Sequence, residues 1–230
     1  MHMISLARRT LSIAALVLLA SAPAFAASIA SPDGRIEVVV TVTDNGRPQY
    51  AVQFDGETVI QPSTLGLVFR DAANLDQGLG IAATNTTTSD STWEQPWGER
   101  RLVRDHYNEL LVTFEAADPK RRFAVRFRVH NDGLGFRYEV PEQDVFGAVI
   151  IDDELTEFRL PVDAMSWWTP ARGFNRYEYH TRNLPIIDIT LANTPATFRL
   201  ANGTHVSLHE AALVNYAGYV LEQRDHGLLK

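Results

Sequence analysis

The chain has 230 residues, a formal net charge of −7, no cysteine and 45% hydrophobic residues. The acidic balance argues against nucleic acid or anionic lipid as a partner, and the lack of cysteine removes the small disulfide-stapled scaffolds. The length is enough for one large β domain with a core that needs no covalent staple.

Residues 1–26 have the three-part layout of a secretory signal. Arg8 and Arg9 supply the charge, Ile13 to Ala20 the short apolar stretch, and Ala24-Phe25-Ala26 the small-x-small cleavage pattern. The expected mature chain therefore runs over 27–230, is exported to the periplasm, and has no membrane contact after cleavage. A retained anchor is the alternative, but no later apolar run is long enough to make a membrane protein.

Beyond the leader, apolar and polar residues alternate, the period of half-buried strands. Ile36 to Val42, closed by Asp44-Asn45-Gly46, and Tyr50 to Phe54, closed by Asp55-Gly56, are predicted strands. Ala82 to Thr92 is rich in Thr, Ser and Asn and is expected to be an exposed loop. Leu110 to Phe114 is a strand ended by Asp118-Pro119. From Arg122 to Val140 the pattern is clearest. Phe123, Val125, Phe127 and Val129 share one face, Arg126 and Arg128 the other; Asn131-Asp132-Gly133 turns the chain, and Leu134, Phe136, Tyr138 and Val140 repeat the alternation. Further strands are expected at Val149 to Ile151, Glu157 to Leu160, Ala196 to Leu200 and His205 to Leu208. No segment carries a capped 3.6-residue period, so helices are short connectors at best. Many short strands at hairpin spacing imply an antiparallel β-sandwich. Ala211 to Leu221 is a dense apolar run close to the last residue, which reads as a domain cut before its end.

Phosphate loops, nucleophile elbows and Cys/His metal clusters are missing from the sequence. Aromatic residues instead lie beside charges, at Trp93-Glu94-Gln95-Pro96-Trp97-Gly98-Glu99-Arg100 and at Trp167-Trp168-Thr169-Pro170 with Tyr177-Glu178-Tyr179. Flat rings stack on the C–H faces of sugars, and carboxylates and guanidinium groups bond their hydroxyls, so such clusters suit carbohydrate; core packing is the alternative. Trp97 and Glu99 are the candidate sugar contacts. Near the C-terminal end, Val206 and Leu208 inward would place Ser207 and His209 outward and Glu210 inward. A carboxylate there needs a partner such as arginine or a hard cation, unless the strand has already bent away and left it exposed. His205 and His209 stand about 13 Å apart on a strand, too far to share one metal ion.

Trp93 to Arg100, Asp105-His106-Tyr107-Asn108-Glu109-Leu110, Gly133-Leu134-Gly135-Phe136-Arg137-Tyr138-Glu139, Trp167 to Pro170 and His209-Glu210-Ala211-Ala212-Leu213-Val214-Asn215-Tyr216 come in the order found in a known family. Together they resemble the N-terminal region of glycoside hydrolase family 97, from about Ser28 to the end of the chain. The resemblance implies a galactose-mutarotase-like super-sandwich, followed by a (β/α)8 catalytic barrel that this chain does not include. It implies a calcium-dependent, exo-acting α-glucosidase or α-galactosidase acting on oligosaccharides, with its catalytic carboxylates on the barrel. It also implies that Glu210, in the His-Glu-Ala-Ala-Leu string, helps hold Ca²⁺. A stand-alone carbohydrate-binding sandwich without catalysis is the competing expectation.

Overall fold

The computed structural model describes residues 26–173 and 177–230. The expected leader therefore lies outside the described residues, apart from Ala26. In chain order the strands are β1 Ala27–Ala30, β2 Ile36–Val42, β3 Pro48–Phe54, β4 Glu57–Thr64, β5 Leu67–Phe69, β6 Gly80–Glu94, β7 Leu102–Ala117, β8 Lys120–Val129 and β9 Leu134–Glu139. They continue as β10 Ile151–Glu154, β11 Phe158–Arg159, β12 Met165–Pro170, β13 Arg182–Pro185, β14 Leu191–Arg199, β15 His205–Leu208, β16 Val220–Asp225 and β17 Leu228–Leu229. Among the described residues the one helical element is a 3-10 turn at Ile186–Asp188.

Hairpin chemistry sets most of the pairing. Turns after β2, β3 and β8 close two-stranded units with neighbouring strands, and every ladder is antiparallel. The result is an eleven-stranded sheet in the order β1-β2-β3-β4-β11-β17-β16-β14-β12-β13, with β15 also on β14, and a four-stranded sheet in the order β6-β7-β8-β9. A short pair, β10 with β5, completes the set.

The two larger sheets bury their apolar faces against each other, which makes the fold the expected all-β sandwich. Val38 and Val40 of β2 and Tyr50 and Val52 of β3 come from one sheet; Phe114 of β7 and Phe123, Val125 and Phe127 of β8 come from the other, all in one continuous core. Phe127 crosses the interface: its ring centroid lies 6.1 Å from Tyr50 and 5.4 Å from Phe136. Gly46, at φ +77°, ends the β2–β3 turn where a Cβ would come within 2.5 Å of the Leu79 amide nitrogen, so only glycine lets the turn lie against the 71–79 loop.

On the outer face of the four-stranded sheet, Arg126 and Arg128 point away from the core as the alternation predicts. Arg126 bonds both Glu109 and Glu139, Arg128 bonds Glu109 at 2.8 Å, and Arg137 bonds Glu139 at 2.8 Å. Burial opposes ionisation of Glu109, yet the two guanidinium groups hold its carboxyl below the usual range.

Three expectations need correction. Ala82 to Thr92 is not a loop but most of β6, paired with β7 from Gly80↔Glu115 to Glu94↔Leu102. An edge strand with both faces largely in solvent has no reason to alternate, and its threonines still favour extended backbone. The strand expected at Val149 to Ile151 starts instead at Ile151, where it meets Phe69 of β5. Ala211 to Leu221, read as a dense apolar run, is mostly an exposed loop; Leu213 and Val214 are 50% and 75% exposed, and regular structure resumes at Val220.

Candidate functional site

The site that holds Glu210 is a break in a sheet edge. β12 pairs with β14 along one edge, from Met165↔Arg199 to Pro170↔Ala192. The other edge of β14 is shared end to end, with β16 on Leu191 to Asn193 and β15 on Ala196 to Arg199. Thr194 and Pro195 lie between these two ladders. Pro195 has no N–H to offer, and here β14 bulges, since its pairing with β12 steps from Thr197↔Trp167 to Asn193↔Thr169.

Chain leaving β15 after Leu208 bends outward, makes the excursion 209–219, and rejoins the same edge as β16. Glu210 sits at the exit and its half-buried carboxylate fills the break. Thr194 Oγ1 donates to Glu210 Oε2 at 2.6 Å, and the Tyr219 backbone N–H donates to Oε1 at 2.9 Å. Burial would raise the Glu210 pKa, but the bonds from Thr194 and Tyr219 lead the opposing causes, and together these keep the carboxyl below its ordinary value, so it is an anion at neutral pH. Thr194, Pro195, Ser207, His209 and Glu210 line a shallow open depression of about 420 Å³. The excursion is tied down again where Tyr216 donates its phenol to Glu154 Oε2 at 2.8 Å. Tyr219 is anchored from behind by Phe158, which in turn packs on Phe136 of the core.

Glu210 therefore answers both readings made from parity. Val206 and Leu208 do turn inward and Ser207 and His209 outward, but the strand ends at Leu208. The inward position of Glu210 comes from its two donors, not from the pleat. Its oxygens retain lone pairs beyond those two bonds, and an ionised carboxylate with spare acceptor capacity beside an open depression fits one ligand of a hard cation. The described residues bring no group of three or more His, Asp or Glu together that could hold a metal ion, so further ligands would have to come from elsewhere.

The two candidate sugar contacts lie at a different sheet. Trp97 and Glu99 occupy the tip joining β6 to β7; Trp97 is 82% exposed, Glu99 is exposed, and neither lines the Glu210 depression. Of the second aromatic cluster, Trp168 is buried at 1% exposure and is core, while Trp167 stacks on His205 at 6.1 Å with the Arg199 guanidinium over it. Tyr177 is 66% exposed. Thr194 and Tyr219 went unnoticed in the sequence. The one available signal was Pro195, immediately before the predicted strand Ala196 to Leu200, since proline at a strand marks its first residue, a bulge or an edge.

The family described as Glycosyl-hydrolase 97 N-terminal matches residues 29–230. A retaining α-galactosidase of Bacteroides thetaiotaomicron is 25% identical over 208 residues, which are 84% of this chain and 30% of that protein. Glycoside hydrolase family 97 enzyme structures from a Pseudoalteromonas species, in complex with panose or with acarbose, superpose with a TM-score of 0.85 at 42% identity, covering 89% of this chain and 31% of theirs. The chain thus spans about 30% of the length of the relatives it matches. With a family match over nearly all of the described sandwich, the chain belongs to the glycosyl-hydrolase 97 N-terminal family.

Proposed function

We propose that this chain is the N-terminal, sugar-site-building domain of a calcium-dependent, exo-acting α-glycosidase that hydrolyses oligosaccharides. The observation that carries the reading is Glu210, an ionised carboxylate held at the rim of an open depression by two donors and left with acceptor capacity to spare. In the longer protein it would be one oxygen ligand of Ca²⁺, with a catalytic barrel supplying the others and the reacting carboxylates. Bound calcium would supply fixed positive charge beside the sugar hydroxyls. Glu210 itself would orient the ion and join the sandwich to the site. An α-glucoside is the favoured substrate class, because identity is 42% to the enzyme solved with panose and acarbose against 25% to the α-galactosidase. Export to the periplasm follows from the segment at 1–26 and belongs to the same proposal.

The test is a calcium titration of activity on the longer protein as wild type, Glu210→Gln and His209→Gln. Glu210→Gln keeps the size but removes the charge that offsets the cation, so calcium affinity and activity should both fall. His209 is exposed and should matter less. An unaltered calcium requirement in Glu210→Gln sinks the assignment. A stand-alone sugar-binding module is the second reading, favoured by the exposure of Trp93 at 50% and of Trp97 at 82% on the β6–β7 tip. Micromolar binding of glucose, galactose or maltose by this chain in calorimetry would support it; the primary reading expects dissociation constants on the order of millimolar or weaker.

A further inference from the structure

We propose that Thr194 is the positioning residue of the Glu210 carboxylate, and that the bulge in β14 exists at the site to present its hydroxyl. The inference rests on Glu210 being a cation ligand, as read above, and adds which group aims it. Glu210 lies two residues past the end of β15, so no ladder fixes its backbone. Its side chain has three rotatable bonds, and leaving them free would scatter the oxygens over several rotamers. A ligand group has to be held to within about 0.5 Å to serve its ion.

Two groups restrain it. The Tyr219 amide belongs to the returning end of the 209–219 excursion, which is tied at Tyr216 to Glu154 and backed at Tyr219 by Phe158, although Leu213 and Val214 between its ends are exposed. Thr194 belongs to β14, which is laddered immediately before it by Thr169 and Val220 through Asn193, and after it by Leu208 through Ala196. Its β-branched side chain is stiff at χ1, and its hydroxyl reaches Oε2 at 2.6 Å, the shorter of the two bonds. Were β14 to continue as a regular ladder at this point, a neighbouring strand would occupy the space that the carboxylate now fills. The break supplies room, and the threonine supplies the direction.

The decisive variants are Thr194→Val, which keeps the branched shape without the hydroxyl, and Thr194→Ser, which keeps the hydroxyl. In this chain, ¹H–¹⁵N spectra read the Tyr219 amide, whose bond to Oε1 reports where the carboxylate is. Thr194→Val should shift that signal and speed its hydrogen exchange, and Thr194→Ser should return both toward wild type. In the longer protein, calcium titrated by calorimetry should show a dissociation constant raised about 10- to 100-fold in Thr194→Val and restored to within about threefold in Thr194→Ser. An unmoved Tyr219 amide in Thr194→Val overturns the proposal, as does unchanged calcium affinity in Thr194→Val when Glu210→Gln has lost it. If Glu210→Gln binds calcium like wild type, the ligand reading fails, and the amide signal alone then decides whether Thr194 positions the carboxylate.

Discussion

Replacing Arg126 by methionine tests how the outer face of the four-stranded sheet is held. The guanidinium makes three charged hydrogen bonds, one to Glu109 and two to Glu139 at 2.7 and 3.0 Å. Stripping the partner from a buried carboxylate costs about 3–5 kcal/mol, whereas a solvent-exposed pair is worth about 0–1 kcal/mol. Glu109 is only 7% exposed, but it keeps Arg128; Glu139 is about a third exposed and keeps Arg137. Neither carboxylate is orphaned, and methionine still covers the surface that the arginine stem covered. The expected loss is therefore between the limits, about 1–2 kcal/mol at neutral pH.

The same variant has a pH signature. Hydrogen bonding to Arg126 is the largest cause that holds the Glu139 carboxyl down to about 2, against an opposing effect of burial, with Arg137 adding to the lowering. A depressed carboxylate stabilises the fold above its ordinary pKa of 4.5 and stops doing so as pH falls through about 2. The gap between wild type and Arg126→Met should accordingly be full above about pH 5 and narrow steadily below it. Urea unfolding followed by tryptophan fluorescence measures both, with buried Trp168 as the reporter. A loss above about 3 kcal/mol would falsify the claim that Arg128 and Arg137 compensate, and a gap that stays constant down to about pH 3 would show that the effect is packing rather than charge.

Phe127→Ala removes a fully buried ring from between the two sheets and should cost about 3–5 kcal/mol by chemical denaturation; a cost under about 1.5 kcal/mol would mean that the sheets close over the cavity. Gly46→Ala puts a methyl group against the Leu79 amide at a positive φ and should cost about 1–3 kcal/mol, read as a lower melting temperature; an unchanged melt would show that the 71–79 loop moves aside freely. Trp97→Ala, at an exposed tip, should change the stability of this chain by less than about 0.5 kcal/mol, and a larger loss would place that ring in a contact the fold needs.

Sequence alone determined the class of fold and much of its register. Where a strand buries one face, as β2, β3 and β8 do, the pleat forces a two-residue period onto the residues, and that period is readable without coordinates. The outward direction of Arg126 and Arg128 and the inward direction of Val206 and Leu208 were legible for the same reason. The Glu210 motif was legible too, through ordered short strings that resemble one family.

Tertiary structure decided the rest. β6 was invisible as a strand because it buries little of either face, so no alternation of apolar and polar residues records the ladder to β7. The break in the β14 edge arises from β15 and β16 sharing one side of a strand; β15 follows β14 as a near hairpin, but β16 pairs with residues 27 to 31 positions earlier, a relation that no local pattern encodes. Parity could bring Glu210 to the right face, but parity ends with the ladder at Leu208. Its final place is set by a hydroxyl 16 positions earlier and an amide nine positions later, because a carboxylate beyond the end of a strand goes where its donors are.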